Sequence, residues 1–156
     1  VLFVLFAIPA GYTGARFGRR RTIMTGIILM ASLMLLMFIL PVESLIVSLG
    51  SGGPLGPLYT ISPILMLAGV SWALINVNSL PMVVDMTDDA RVGTYTGLYY
   101  FASTLAAILG PNIFGWIVQL GGNNYNLLMV FSPIFMILAL LMMTGIHKGE
   151  ARKQLK

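Results

Sequence analysis

The chain has no cysteine, which excludes disulfides and thiolate metal sites. Its one histidine, His147, lies close to the last residue, so an all-histidine metal site is excluded as well. Charge is scarce: 9% of the residues are Asp, Glu, Lys or Arg, where an ordinary soluble domain carries about 25%. Only five of these are acids, Glu43, Asp85, Asp88, Asp89 and Glu150, and none sits in the middle of an apolar run. No nucleophile–base constellation is visible, so an enzyme is the poorest reading, and neither a metal nor a cofactor is expected.

What remains is apolar. Hydrophobic residues make up 58% of the chain and its mean hydropathy is +0.92. This is the composition of a polytopic membrane protein. A net charge of +4 would suggest nucleic acid in a soluble protein. Here the basic groups flank apolar runs, so anionic headgroups are the expected partner and nucleic acid is not.

The nine Lys and Arg residues fall at Arg16–Arg21, at Arg91 and in the stretch Lys148–Lys156. Threading the apolar runs through a bilayer as alternating spans puts all nine on one side, the positive-inside pattern. Five spans result, at about 1–13, 22–40, 61–84, 93–118 and 127–146. The segments 14–21 and 85–91 and the basic tail 147–156 are then cytoplasmic, in the plasma membrane. The segments 41–60 and 119–126 face outside and contain no Lys or Arg. Pro41 stops the second span, Ser51-Gly52-Gly53-Pro54 centres one outer loop, and Gly121-Gly122-Asn123-Asn124 makes the other turn. Val1 already lies within an apolar run with no basic stretch before it. A signal peptide is therefore not expected, and the first span reads as truncated.

The spans differ in kind. The second and fifth are nearly all aliphatic, with Thr25, Ser32, Ser132 and Thr144 as their polar residues, and suit lipid contact. The third carries Ser71, Trp72, Asn76, Asn78 and Ser79. The fourth carries Thr94, Thr96, Tyr99, Tyr100, Ser103, Thr104 and Asn112. Polar groups in a bilayer are costly unless they meet partners or water, so the third and fourth spans should line an interior. At roughly 100° per residue, Trp72, Asn76 and Ser79 share one stripe, while Ser71, Asn78 and Asp85 share another. On the fourth span Thr96, Tyr100, Ser103 and Ala107 form a stripe with Tyr99 beside it. Either these residues bond helix to helix, or Trp72 and Asn76 line a cavity where an indole and an amide bind a sugar. Asp85, Asp88 and Asp89 read as a solvated loop ahead of a helix rather than as a metal cluster.

Gly11-Tyr12-Thr13-Gly14-Ala15-Arg16-Phe17-Gly18-Arg19-Arg20-Arg21 resembles the G-x-x-x-D-R-x-G-R-[RK] loop of the major facilitator superfamily. Gly11, Arg16, Gly18, Arg19 and Arg20 match, and Ala15 replaces the family's Asp. Asn78–Asp85, Gly93–Phe101 and Ala106–Pro111 are similar to sucrose-transporter-type facilitators and to glycoside–pentoside–hexuronide cation symporters. The resemblance implies an all-α membrane protein of five transmembrane helices, a partial helix 8 and helices 9–12 of a twelve-helix fold, with residues 1–146 forming part of the C-terminal bundle. It implies cation-coupled sugar symport by alternating access. Trp72, Asn76, Tyr99, Tyr100 and Ser103 would contact substrate, and Gly11, Arg16, Gly18, Arg19, Arg20 and Asp85 would act in cytoplasmic gating. The N-terminal half of the same transporter would be a partner and, by the same resemblance, would hold the coupling acids. The competing readings are a non-sugar or efflux transporter and, from another class, a non-transporting membrane assembly protein.

Overall fold

The computed structural model describes residues 2–50 and 57–146, and its architecture is helical. Four helices are long and apolar enough to cross a membrane: α2 (Arg19–Ile39), α4 (Ile61–Asp85), α5 (Val92–Leu120, entered through a 3-10 turn at Asp89–Arg91) and α6 (Asn126–Thr144). The fifth, α1 (Leu2–Phe17), has 16 residues, or roughly 24 Å of helix. The connection between α2 and α4 holds a one-turn helix, α3 (Val42–Leu45), and a short antiparallel ribbon of β1 (Ser48–Gly50) with β2 (Leu58–Tyr59). The turn expected at 51–54 and the tail expected at 147–156 lie outside the described residues.

The expected loop at 14–21 is not a loop. Helix α1 continues to Phe17 and α2 begins at Arg19, with Gly18 alone between them. Gly18 has φ 101°, a conformation that a side chain disfavours, so one glycine makes the corner. Polar composition misled the expectation here: Arg and Thr are tolerated in a helix at the membrane surface. Asp85 likewise closes α4 rather than opening a loop. At the other end of α2, Leu40 is extended, as the residue before a proline should be, and the helix stops there. Gly122 and Asn123, at φ 70° and 63°, turn the chain between α5 and α6.

Helix α2 corrects a second expectation. Rather than lying wholly against lipid, it is the hub, packing on α1, α4 and α6. Ile23 and Ile27 bury against Met82 of α4 and are flanked by Met136, Ala139, Leu140 and Met143 of α6. Towards the C-terminal end of α2, Leu33 packs with Leu45 of α3 and Ile64 of α4. Gly26 permits the approach of α4, since a Cβ there would lie 2.9 Å from Ser71 O and 2.8 Å from Ile75 Cγ1. The opposite stripe, Arg21, Thr25, Ile28, Ser32, Leu35 and Ile39, is exposed. Thr25 and Ser32 satisfy their hydroxyls on that stripe by donating to the carbonyls of Arg21 and Ile28, so an apolar environment costs them little.

Helices α1 and α4 meet at Asn78, which is fully buried. Its Nδ2 donates to Ala10 O at 3.0 Å and to Leu74 O at 2.9 Å. Its Oδ1 has no hydrogen-bond partner among the described residues and lies where a side chain on Gly14 would have to go. Helix α5 packs least: Val118 is its one buried residue among those described.

Candidate functional site

Between α4 and α5 lies a groove of about 680 Å³. Helix α4 contributes Trp72, Ile75, Asn76 and Ser79, and α5 contributes Tyr99, Tyr100, Ser103, Ala106 and Ala107. All five residues singled out as substrate contacts thus share one depression. The short connection 86–91 makes α4 and α5 antiparallel neighbours, and helical periodicity then lines up Trp72, Asn76 and Ser79 against Tyr99, Tyr100 and Ser103.

The groove's polar groups divide into two kinds. Ser79 donates to Ile75 O of its own helix at 2.6 Å. Asn76 and Ser103 are exposed, and no hydrogen bond ties their side chains to any described residue. They retain one amide and one hydroxyl with which to meet a ligand. The Tyr99 and Tyr100 rings stand edge to face, their centroids 5.5 Å apart, and Trp72 adds a third aromatic surface, 47% exposed. Beyond the Ala107 end of the groove, Pro111 has no N–H to offer Ala107, so the Ala107 carbonyl loses its helical partner. Among the described residues no group of three or more His, Asp or Glu could hold a metal. The groove can therefore stack rings and exchange hydrogen bonds with a neutral polar molecule, but it carries no ionisable group of its own apart from the two phenols.

The basic cluster forms a second, separate constellation. Arg19 Nε donates to Asp85 Oδ2 at 2.6 Å, joining the start of α2 to the end of α4. Both side chains are about four-fifths buried, with exposures of 20% and 24%. Arg20 donates to the Met143 carbonyl at 3.0 Å and the Thr144 carbonyl at 2.7 Å, capping the C-terminus of α6 where the helix dipole favours a cation. Arg16 lies 5.5 Å from the centre of the adjacent Phe17 ring. Gly11 and Gly18 serve geometry, Gly11 where α1 passes Val77 and Gly18 at the corner.

A family model described as Major Facilitator Superfamily matches residues 1–155. The chain belongs to the major facilitator superfamily. It is accordingly a multi-pass membrane transporter of small molecules and not an enzyme. No curated protein and no solved structure matches the chain. In this superfamily chain, sequence reasoning missed two structural roles. Arg20 was grouped with the other arginines, although its partners are backbone carbonyls with no sequence signature. Asn78 was placed on a stripe of α4, but its dependence on Gly14 needs the crossing of two helices to be seen.

Proposed function

We propose that this chain forms part of a cation-coupled sugar carrier, that the groove between α4 and α5 is its share of the substrate site, and that the sugar is a di- or oligosaccharide glycoside. The observation that carries this reading is the pairing of the unengaged Asn76 amide and Ser103 hydroxyl with three aromatic rings. Sugars offer hydroxyls to the first and C–H faces to the second, and 680 Å³ lies within the range of about 300–1,000 Å³ common for small-molecule sites. Similarity of Asn78–Asp85 and Gly93–Pro111 to glycoside symporters points the same way. The rest of the site, including the acids that bind H⁺ or another cation, belongs to an N-terminal half, and transport proceeds by rocking of the two halves about a midplane site. The basic face is cytoplasmic and the membrane is the plasma membrane. There the Arg19–Asp85 pair biases the inward–outward equilibrium.

The test is uptake of radiolabelled sucrose and of an aryl glucoside by the intact transporter. Asn76→Leu removes a donor and an acceptor without adding charge. A ligand hydroxyl left unpaired costs about 1–3 kcal/mol, so the apparent affinity should fall roughly 5- to 150-fold. Leu at Ser32 or Ser132, away from the groove, should leave it unchanged. Equal uptake constants for Asn76→Leu and wild type would reject the groove assignment. Export of an apolar cationic dye with no sugar uptake would instead favour an efflux transporter.

A further inference from the structure

A crevice of about 260 Å³ runs between α1 and α2, lined by Thr13, Phe17, Arg21, Thr22, Thr25 and Leu74. Its chemistry is two-ended. The three threonine hydroxyls are turned to backbone carbonyls, Thr13 to Ala10, Thr22 to Gly18 and Thr25 to Arg21. Their protons are thereby used, and together with Phe17 and Leu74 they make a mostly apolar wall. The remaining lining residue is the exposed Arg21.

Of the four arginines in this cluster, Arg19 is neutralised by Asp85 and Arg20 is engaged by two carbonyls. Among the described residues no carboxylate pairs with Arg16 or Arg21, and the first turn of α2 contains no acid. Positive charge is therefore in excess at the mouth of the crevice. Depth makes this specific. Helix α2 has 21 residues, so it is roughly 31 Å long and matches a hydrocarbon core of about 30 Å. Arg21 lies in its first turn, at headgroup level, and Thr25 one turn deeper, at acyl level. Arg21 and Thr25 both belong to the exposed stripe of α2, so the crevice opens towards lipid. A comparable crevice of about 300 Å³ between α5 and α6 is lined by no charged residue.

We infer that the crevice between α1 and α2 holds one anionic phospholipid, its phosphate on Arg21 and the upper part of an acyl chain against Phe17, Thr25 and Leu74. Charge complementarity selects an anionic over a zwitterionic headgroup, and the apolar wall selects a lipid over a free anion. The site is distinct from the groove between α4 and α5 and does not depend on what that groove binds.

Native mass spectrometry of the detergent-solubilised protein, titrated with dioleoyl-phosphatidylglycerol or dioleoyl-phosphatidylcholine, tests this. Wild type should retain one phosphatidylglycerol more tightly than any phosphatidylcholine. Arg21→Gln should weaken that binding roughly fivefold, the effect expected of one basic residue at the membrane surface. Thr25→Trp, which fills the crevice from an exposed position and keeps every charge, should weaken it too, and Arg16→Gln should do so less than Arg21→Gln. Far-UV circular dichroism shows that the variants remain folded. Three results would overturn the proposal: no preference for phosphatidylglycerol in wild type; equal losses in Arg16→Gln and Arg21→Gln with none in Thr25→Trp, meaning diffuse surface charge; or displacement of the lipid by an equal concentration of inorganic phosphate.

Discussion

Gly14 and Asn78 form a lock between α1 and α4 whose energetics follow from its geometry. An alanine methyl at Gly14 would overlap Asn78 Oδ1 and lie 2.6 Å from Asn78 Cγ, so the amide has to leave. Leaving breaks the bond to Ala10 O, which joins the two helices and is worth about 0.6–1.7 kcal/mol, and the bond to Leu74 O within α4, whose carbonyl keeps its helical N–H. Overpacking adds about 1–3 kcal/mol, so Gly14→Ala should destabilise the fold by about 2–5 kcal/mol. Asn78→Ala is different. Ala10 O keeps the Thr13 hydroxyl at 2.8 Å, and Leu74 O keeps the helical N–H four residues on. The substitution also removes a buried oxygen without a partner, a group that costs about 1–3 kcal/mol to desolvate. Its net effect should stay within about 1 kcal/mol. The double variant places the new methyl in the vacated space and should recover about 2 kcal/mol relative to Gly14→Ala alone. Trp72 and Trp116 report unfolding by SDS in dodecylmaltoside micelles, and the transition midpoints give the comparison. Additive losses, or a double variant weaker than Gly14→Ala, would refute the steric account.

The remaining predictions concern the charged face and the topology. Asp85→Asn should slow turnover more than it weakens substrate binding, and exchanging the charges through Arg19→Asp with Asp85→Arg should restore part of the rate. With a fifth to a quarter of each side chain exposed, loss of the pair should shift a two-state equilibrium without unfolding the bundle. Unchanged turnover in Asp85→Asn, with normal membrane insertion, would remove the pair from the mechanism. Single cysteines at Ser51 and Asn124 should react with an impermeant thiol reagent from outside the cell, and one at Gln154 only after permeabilisation; labelling of Gln154 in intact cells would reverse the orientation.

The spans were legible in the sequence because a bilayer imposes length and polarity together. Pro41, the Gly121–Asn124 turn and the acids near position 85 mark ends that the structure moves by a few residues. The packing of α2 was not legible, for a physical reason: a lipid tail and a Leu side chain are equally apolar, so Ile23 and Ile28 look alike in sequence although one is buried and the other is not. Only Gly26, small enough for α4 to approach, marks the buried side. The ribbon between α2 and α4 was not legible because Ser51-Gly52-Gly53-Pro54 marks a turn without marking strands, and the bond beside the strands, Thr60 N–H to Val47 O, joins residues thirteen apart. The groove was half legible. Periodicity put Trp72, Asn76 and Ser79 on one stripe and Tyr100 and Ser103 on another, but the facing of the two stripes depends on the height at which α4 and α5 pair.

Helix α4 gives these features a common mechanical basis. At roughly 100° per residue, Ser71, Asn78, Met82 and Asp85 fall on one narrow stripe, and Trp72, Asn76 and Ser79 on another roughly 110° away. The first stripe holds the buried contacts: Ser71 against Gly26, Asn78 against Ala10 and Gly14, Met82 against Ile23 and Ile27, and Asp85 against Arg19. The second stripe faces the groove. A rigid helix cannot turn one stripe without the other. Rotation of α4 that widens or narrows the groove must therefore disturb the Asn78 bonds at mid-span and the Arg19–Asp85 pair at its end. The two contacts differ in how they yield. The pair can exchange for water at the membrane surface at small cost, whereas Asn78 lies where no water replaces its partners. Asn78 should therefore fix α4 to α1 at mid-span while the Arg19–Asp85 pair yields at the end of α4, and the larger motion at the groove should come from α5, which has a single buried residue among those described to hold it back.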